Sequence, residues 1–263
     1  MCKLVELRQL IMDKKFSQAL ILSNSIKEDE YDESFWYLKG ILHRCLEEYK
    51  QSLEYLEKAR SISPESKEIL LALGISYQLD SQFNKAIDVF RSALDIDDRY
   101  LPAINSLALT YKRAEDFEKS LNAYKYALKV ICEAIADNII ENPPNDYYPE
   151  PPVKEAYWVR MAFQSLVYIS CKLDYKAYLV PNKEIERDES ENKTHGVSLW
   201  VDKDTQESKK AIQFLPNYFN YFFHLLLEDP YYLTVVLNMG LVLEILGEDE
   251  EAQVCFREEN YFS

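Results

Sequence analysis

Three histidines and five cysteines are the side chains of this sequence best suited to nucleophilic or metal chemistry, and their spacing assembles neither. His43, His195 and His224 fall on different segments, and none stands at ligand spacing from another histidine or cysteine. Cys2, Cys45, Cys132, Cys171 and Cys255 are far apart, with no paired spacing for a disulfide framework or a zinc site, so reduced thiols are expected. No Gly-rich phosphate loop and no HExxH occurs, and five glycines leave little material for a phosphate cradle. His43 reads as a packed or solvent-edge helix residue, and His195, in a polar stretch, is the one histidine kept as a functional candidate. Runs of acids such as KEDEYDE and ILGEDEEA are accounted for by solvation and by the preference of helix starts for negative charge. The NKT triplet at Asn192 matches a glycosylation acceptor and is expected to go unused. No catalytic residue, cofactor or metal is therefore expected, and the chain reads as a non-enzyme.

The composition points the same way. With 48% apolar residues the chain can bury a large core, and scarce glycine among strong helix formers predicts a mostly helical protein. A formal net charge of −15 opposes binding to nucleic acid or to an anionic membrane surface. The start, MCKLVELRQLIMDKKF, alternates charged and apolar residues at helical spacing, so it is expected to be a first helix and not a signal peptide. The aromatic stretch AIQFLPNYFNYFFHLLLEDPYYL is interrupted by Pro216, Asn217, Asn220 and His224 and ended by Glu228, Asp229 and Pro230, which rules it out as a membrane span. A cytoplasmic location is expected.

Laid against itself at a shift of 34 residues, the chain aligns three segments beginning at Phe35, Ile69 and Ala103. The matched columns are Trp36, Leu70, Ile104; Gly40, Gly74, Ala108; Tyr49, Phe83, Phe117; Ser52, Ala86, Ser120; Leu56, Phe90, Tyr124; and Ala59, Ala93, Ala127. Large, small, aromatic and small positions in this order describe a helix-turn-helix unit whose small residues allow close helix approach. Trp36 with Gly40, Gly74 with Tyr77, Ala86 with Phe90, and Pro64 carry a resemblance to the tetratricopeptide repeat family.

The columns extend outwards. Leu7, Phe16 and Ala19 make residues 1–33 a degenerate first repeat, and Val236, Gly240, Leu243, Ala252 and Phe256 make a final one, with Gly247 at its turn. Between them, Trp158, Met161 and Ala162 read as a helix A, and the aromatic run from Pro216 to Glu228 as its helix B, which is expected to pack on the helix around Trp158. The expected fold is all-α: an α-solenoid of antiparallel helix hairpins, a tetratricopeptide superhelix of about six hairpins by the family period, with a polar insertion in the C-terminal half. The expected organisation is an N-terminal array over 1–140 of about four repeats, a Pro-rich linker over 141–153, a degenerate repeat over 154–230 with an insertion at about 179–210, and a C-terminal repeat over 231–263. The insertion is polar enough to read as a mobile loop, while Val197, Leu199 and Val201 alternate as a short strand does, or belong to a loop pinned by Trp200.

The resemblance implies a non-enzymatic protein-interaction module, a scaffold, adaptor or chaperone, that binds a partner's peptide on the concave face lined by each helix A. Helical geometry then selects Tyr37, Ile41 and Arg44; Leu71, Ile75 and Gln78; and Asn105, Leu109 and Lys112 with Arg113, continued by Val159, Phe163 and Leu166. Chaperone-binding members clamp a terminal carboxylate with lysine, asparagine and arginine; here only Asn105 keeps that chemistry, so an acidic C-terminal tail is not the expected ligand. An apolar groove with basic edges suits an extended or helical peptide that carries acids towards Arg44, Lys112 and Arg113. Four alternatives stand beside it: a chaperone for a secreted substrate; an enzyme or regulator whose site, with His195 and Trp200, lies in the insertion; a groove filled from within by Tyr147, Tyr148 or Trp200; and self-association through the aromatic helix or an open end of the array.

Overall fold

The computed structural model describes residues 3–27, 32–142, 177–181, 197–201 and 221–257. The chain divides into two compact units, Met1–Tyr124 and Lys125–Ser263.

The first unit is built from α1 (Lys3–Met12), α2 (Phe16–Asn24), α3 (Glu33–Cys45), α4 (Tyr49–Ile62), α5 (Lys67–Leu79), α6 (Phe83–Ile96), α7 (Leu101–Arg113) and the start of α8 (Phe117–Glu141). Helices adjacent in sequence pack as antiparallel hairpins, and each hairpin stacks on the next through α2 on α3, α4 on α5 and α6 on α7. This is the expected α-solenoid. Its starts are written locally: the Asp32 carboxylate accepts from the Phe35 amide at 2.8 Å, Ser66 Oγ accepts from the Ile69 amide at 3.3 Å, and Pro102 stands in the first turn of α7. Each hairpin turn uses the same backbone device. Lys14, Glu47, Ser81 and Glu115 adopt positive φ of 58° to 61°, and the following amide reaches back five residues, as in Glu48 to the His43 carbonyl at 2.9 Å and Gln82 to that of Tyr77 at 2.9 Å. Glu47, Ser81 and Glu115 recur at the period of 34, and Lys14 precedes Glu47 by 33.

The core follows the columns. Ala59, Ala93 and Ala127 are fully buried, as are Leu56, Phe90 and Tyr124. A Cβ added to Gly40 would lie 2.6 Å from Leu56 Cγ, and one on Gly74 would overlap the Phe90 ring, so the glycine column sets how closely the two helices of a hairpin approach. Leu56 also joins Leu70, Ala72 and Leu73 of the following hairpin, so one side chain closes its own hairpin and seats the next.

Polar bonds repeat across the stack as well. Arg44 Nη1 donates to the Ala72 carbonyl at 3.3 Å, and 34 residues on Gln78 Nε2 donates to that of Ser106 at 3.3 Å. Likewise the Tyr77 hydroxyl donates to Glu57 Oε1 at 3.0 Å, and Arg91 Nη2 to the Tyr111 hydroxyl at 2.8 Å. Two pairs of bonds at the same register positions therefore join α3/α4 to α5/α6, and α5/α6 to α7/α8.

α8 departs from the period. The helix B of an ordinary repeat would end near Val130, as α4 and α6 end after 14 residues, yet α8 runs for 25. No glycine or proline occurs between Phe117 and Asn142, and Val130, Ile131, Ile135, Ala136 and Ile139 keep one apolar face buried to the end of the helix; Pro143 and Pro144 follow. The helix thus passes from the first unit into the second.

In the second unit β1 (Ala177–Pro181) and β2 (Val197–Val201) pair antiparallel, with Leu179 opposite Leu199. Of the two readings of the segment around Trp200 the strand is the observed one, and its partner strand was not anticipated; β2 lies within the expected insertion and β1 at its start. Helix α9 (Tyr221–Glu228) buries Phe222, Phe223 and Leu226, in keeping with the helix expected from the aromatic run. Asp229 Oδ1 accepts from the amides of Tyr231 and Tyr232 at 2.9 and 3.0 Å and so starts α10 (Tyr232–Leu246), bent by 81° from α9. α10 and α11 (Asp249–Arg257) form a hairpin closed on Gly240, where an added Cβ would lie 2.8 Å from Cys255 Cβ, and turned at Gly247 with φ 81°. The Glu248 amide reaches the Leu243 carbonyl at 3.0 Å, the device used in the first unit. Among the described residues no single helix is long and apolar enough to cross a membrane; α9 and α10 together have the length and composition for a broken span, but meet at that bend. The expected helix around Trp158, with Met161 and Ala162, the linker beyond 142 and the insertion over 182–196 and 202–210 lie outside the described residues.

Candidate peptide-binding face

α5 touches both α3 and α7, so the three first helices of successive hairpins lie side by side, and residues 34 apart fall into rows across them. The first row, Tyr37, Leu71 and Asn105, is half-buried throughout. Tyr37 packs between two core clusters, and burial pushes its phenol above the usual range, partly offset by the Arg44 charge. Asn105 leaves Oδ1 buried without a hydrogen-bond partner. The second row, Ile41, Ile75 and Leu109, is half-buried and apolar.

The third row differs from its sequence reading. Arg44 and Gln78 were expected as side chains facing a ligand, whereas both are committed to the stack. Burial depresses the Arg44 guanidinium, whose Nη1 serves the Ala72 carbonyl. Gln78 is 5% exposed and adds a bond to Thr110 Oγ1 at 2.7 Å. Lys112 is half-buried, and desolvation lowers its pKa. Arg113 is exposed and lines an open cleft of about 510 Å³ between the α5–α6 and α7–α8 turns, together with Ser81, Asn84, Lys85 and Glu115, a feature with no motif in the sequence. Val159, Phe163 and Leu166 lie outside the described residues. What remains is an apolar strip of two rows with cations at the α7 end. Such a surface can take apolar side chains.

The histidines are distributed as packing and surface groups. His43 is buried, its Nδ1 2.5 Å from Glu48 Oε2 and its ring 4.9 Å from that of Tyr55. His224 is exposed and 3.3 Å from Glu228 Oε1, one turn along α9. His195 falls outside the described residues, as do Cys2 and Cys171; Cys132 and Cys255 are buried and Cys45 exposed. Among the described residues no three histidine, cysteine, aspartate or glutamate side chains are grouped to hold a metal ion.

Residues 33–66, the α3/α4 hairpin, match the family model of the tetratricopeptide repeat. No curated protein matches the chain. Among solved structures it is similar to YrrB, described as a TPR protein with an unusual peptide-binding site, at 18% identity and a TM-score of 0.42 over 46% of this chain and 63% of that one, less than two thirds of its length. It is also similar to MamA AMB-1, at 18% identity and 0.42 over 53% and 80%, and to TTC0263, a thermophilic TPR protein of Thermus thermophilus, at 17% and 0.44 over 64% and 88%. The α3/α4 hairpin is thus a tetratricopeptide repeat by its family match, and the turns, the small-residue contacts and the bonds between hairpins recur at the same period along the first unit; arrays of this repeat are protein–protein interaction modules.

Proposed function

We propose that the first unit holds a segment of a partner protein, extended or helical, across α3, α5 and α7, and that the chain works as a non-enzymatic scaffold, adaptor or chaperone inside the cell. The observation that carries this reading is the half-buried apolar strip that Leu71 and the row of Ile41, Ile75 and Leu109 form across the three helices. Ile41, Leu71, Ile75 and Leu109 supply the apolar contact, and Lys112 and Arg113 favour a ligand with acids at the α7 end. Arg44, bonded within the stack, contributes its charge from below the surface.

The test is selection of binders from a displayed random-peptide library on the full chain, followed by titration of a selected peptide against Leu71→Glu, with helicity checked by circular dichroism. The variant is expected to weaken the peptide by about tenfold or more while remaining folded. Selected peptides indifferent to the substitution, or none selected at all, would refute the reading; the second result is what a face already filled by the chain's own linker or insertion gives.

A further inference from the structure

Helix α10 is apolar on two sides, and the core uses one of them. Val235, Val236, Met239, Val242 and Leu243 are buried, while Leu241 is 42% and Ile245 53% exposed. A helix that is apolar all round is ordinarily enclosed all round. One that keeps an apolar stripe at the surface marks a place where something else docks.

The register says which side this is. Gly240 aligns with Gly40, so Leu237 falls in the row of Tyr37, Leu71 and Asn105, and Leu241 in the row of Ile41, Ile75 and Leu109. Glu244 takes the third row, which Arg44, Gln78 and Lys112 hold in the first unit. Leu237, Leu241, Glu244 and Ile245 stand at i, i+4, i+7 and i+8 and therefore share one side of the helix. Arg44 and Gln78 are bonded into the stack, whereas Glu244 is exposed on this side.

The charge is inverted as well. The strip of the first unit ends at Lys112 and Arg113. The α10 stripe contains Glu244 and runs into Glu248, Asp249, Glu250 and Glu251, all exposed, and no lysine or arginine occurs from Tyr221 to Phe256.

We propose that this side of α10 holds a segment of a partner protein that presents apolar side chains with lysine or arginine beside them, the opposite charge to the ligand of the first unit. The proposal rests on the reading of these rows as ligand-facing. Leu241 and Ile245 make the apolar contact, and Glu244 with the acids of the turn meets the bases. The same acids oppose two other occupants: a second copy docked α10 on α10 would set Glu244 and its neighbours against like charge, and so would an anionic membrane.

The test is selection from a displayed random-peptide library on the full chain carrying Leu71→Glu, which places a charge in the strip of the first unit. A selected peptide is then titrated against the wild type, Leu241→Ser/Ile245→Ser and Glu244→Lys. The peptides should be enriched in lysine or arginine next to apolar residues, and the wild type should bind them as the Leu71→Glu chain does. The double variant and Glu244→Lys should each weaken binding by about tenfold or more, and raised salt should weaken it too. Leu241, Glu244 and Ile245 are exposed, so the substitutions spare the core, and circular dichroism checks that the helices persist. Acid-rich peptides, peptides indifferent to the α10 substitutions, or a selection that returns none would overturn the proposal. Peptides selected on the wild type separate it from the reading of the first unit: sensitivity to Leu71→Glu alone keeps that reading and rejects this one, and sensitivity to the α10 substitutions alone does the reverse.

Discussion

The junction between α2 and α3 and the junctions further along the first unit are built from the same period but not from the same bonds. The inner junctions follow helices of 14 residues and carry the paired contacts of Arg44 with Ala72, Gln78 with Ser106, Tyr77 with Glu57 and Arg91 with Tyr111. At the first junction α2 has nine residues, and His43, which occupies the column of Tyr77 and Tyr111, bonds to Glu48 of its own hairpin turn. Lys39 stands where Leu73 and Leu107 fill the core, its Nζ 4.8 Å from the Tyr55 ring centre, and burial followed by the Lys58 charge lowers its pKa. Apolar columns suffice to form a hairpin. Polar columns that cross to the next one determine how firmly it is held, and the first hairpin lacks the crossing from His43.

The comparison makes measurable differences, and the largest should come from the shared apolar columns. Phe90→Ala, which empties the contact on Gly74, should cost about 3–5 kcal/mol in urea unfolding, whereas Leu7→Ala should mainly release α1 and α2 and move the main transition much less. Equal shifts from the two would break the distinction. Native-state amide exchange reads the same contrast without mutation: α1 and α2 should exchange faster than α5 and α6. Next in size, Gln78→Leu removes the donor to Ser106 and Thr110 and should cost about 1–2 kcal/mol; no change would mean that the crossing bonds do not bear on stability. Lys39→Leu installs at the edge the residue used inside, and should stabilise the first two hairpins by up to about 1 kcal/mol, seen as a raised melting temperature. Ser81→Gly should stabilise by up to about 1 kcal/mol, because φ of 60° is strained for serine and free for glycine. Smallest is Tyr124→Phe. Its hydroxyl is buried without a partner and its phenol pKa is pushed well above the usual range by burial, so the change should be neutral or slightly stabilising; a loss above about 1 kcal/mol would point to a partner for the hydroxyl.

How much was legible follows from the kind of interaction. The hairpins, the turn at Gly247 and the buried columns all came from residue size at a fixed spacing. Glycine against a large side chain leaves few other arrangements, so such contacts can be read without coordinates. Helix α9 was legible from its aromatics for the same reason. Of the residues selected for a ligand face, those in the rows of Tyr37 and Ile41 are half-buried, while Arg44 and Gln78 are bonded to carbonyls of the next hairpin, which their spacing did not reveal. A long polar side chain reaches several acceptors with similar energy, and the one it meets is decided by the stacking of hairpins.

The sequence by itself therefore determined the repeat, its period and its close-packed columns, because steric exclusion acts between residues a fixed number of positions apart. Only the tertiary structure decided that α8 runs on as one helix, that β1 pairs with β2, and that the third row serves the stack. Each of those outcomes depends on a partner at a distance along the chain, and a hydrogen bond or a buried face is worth its free energy only once that partner is in place.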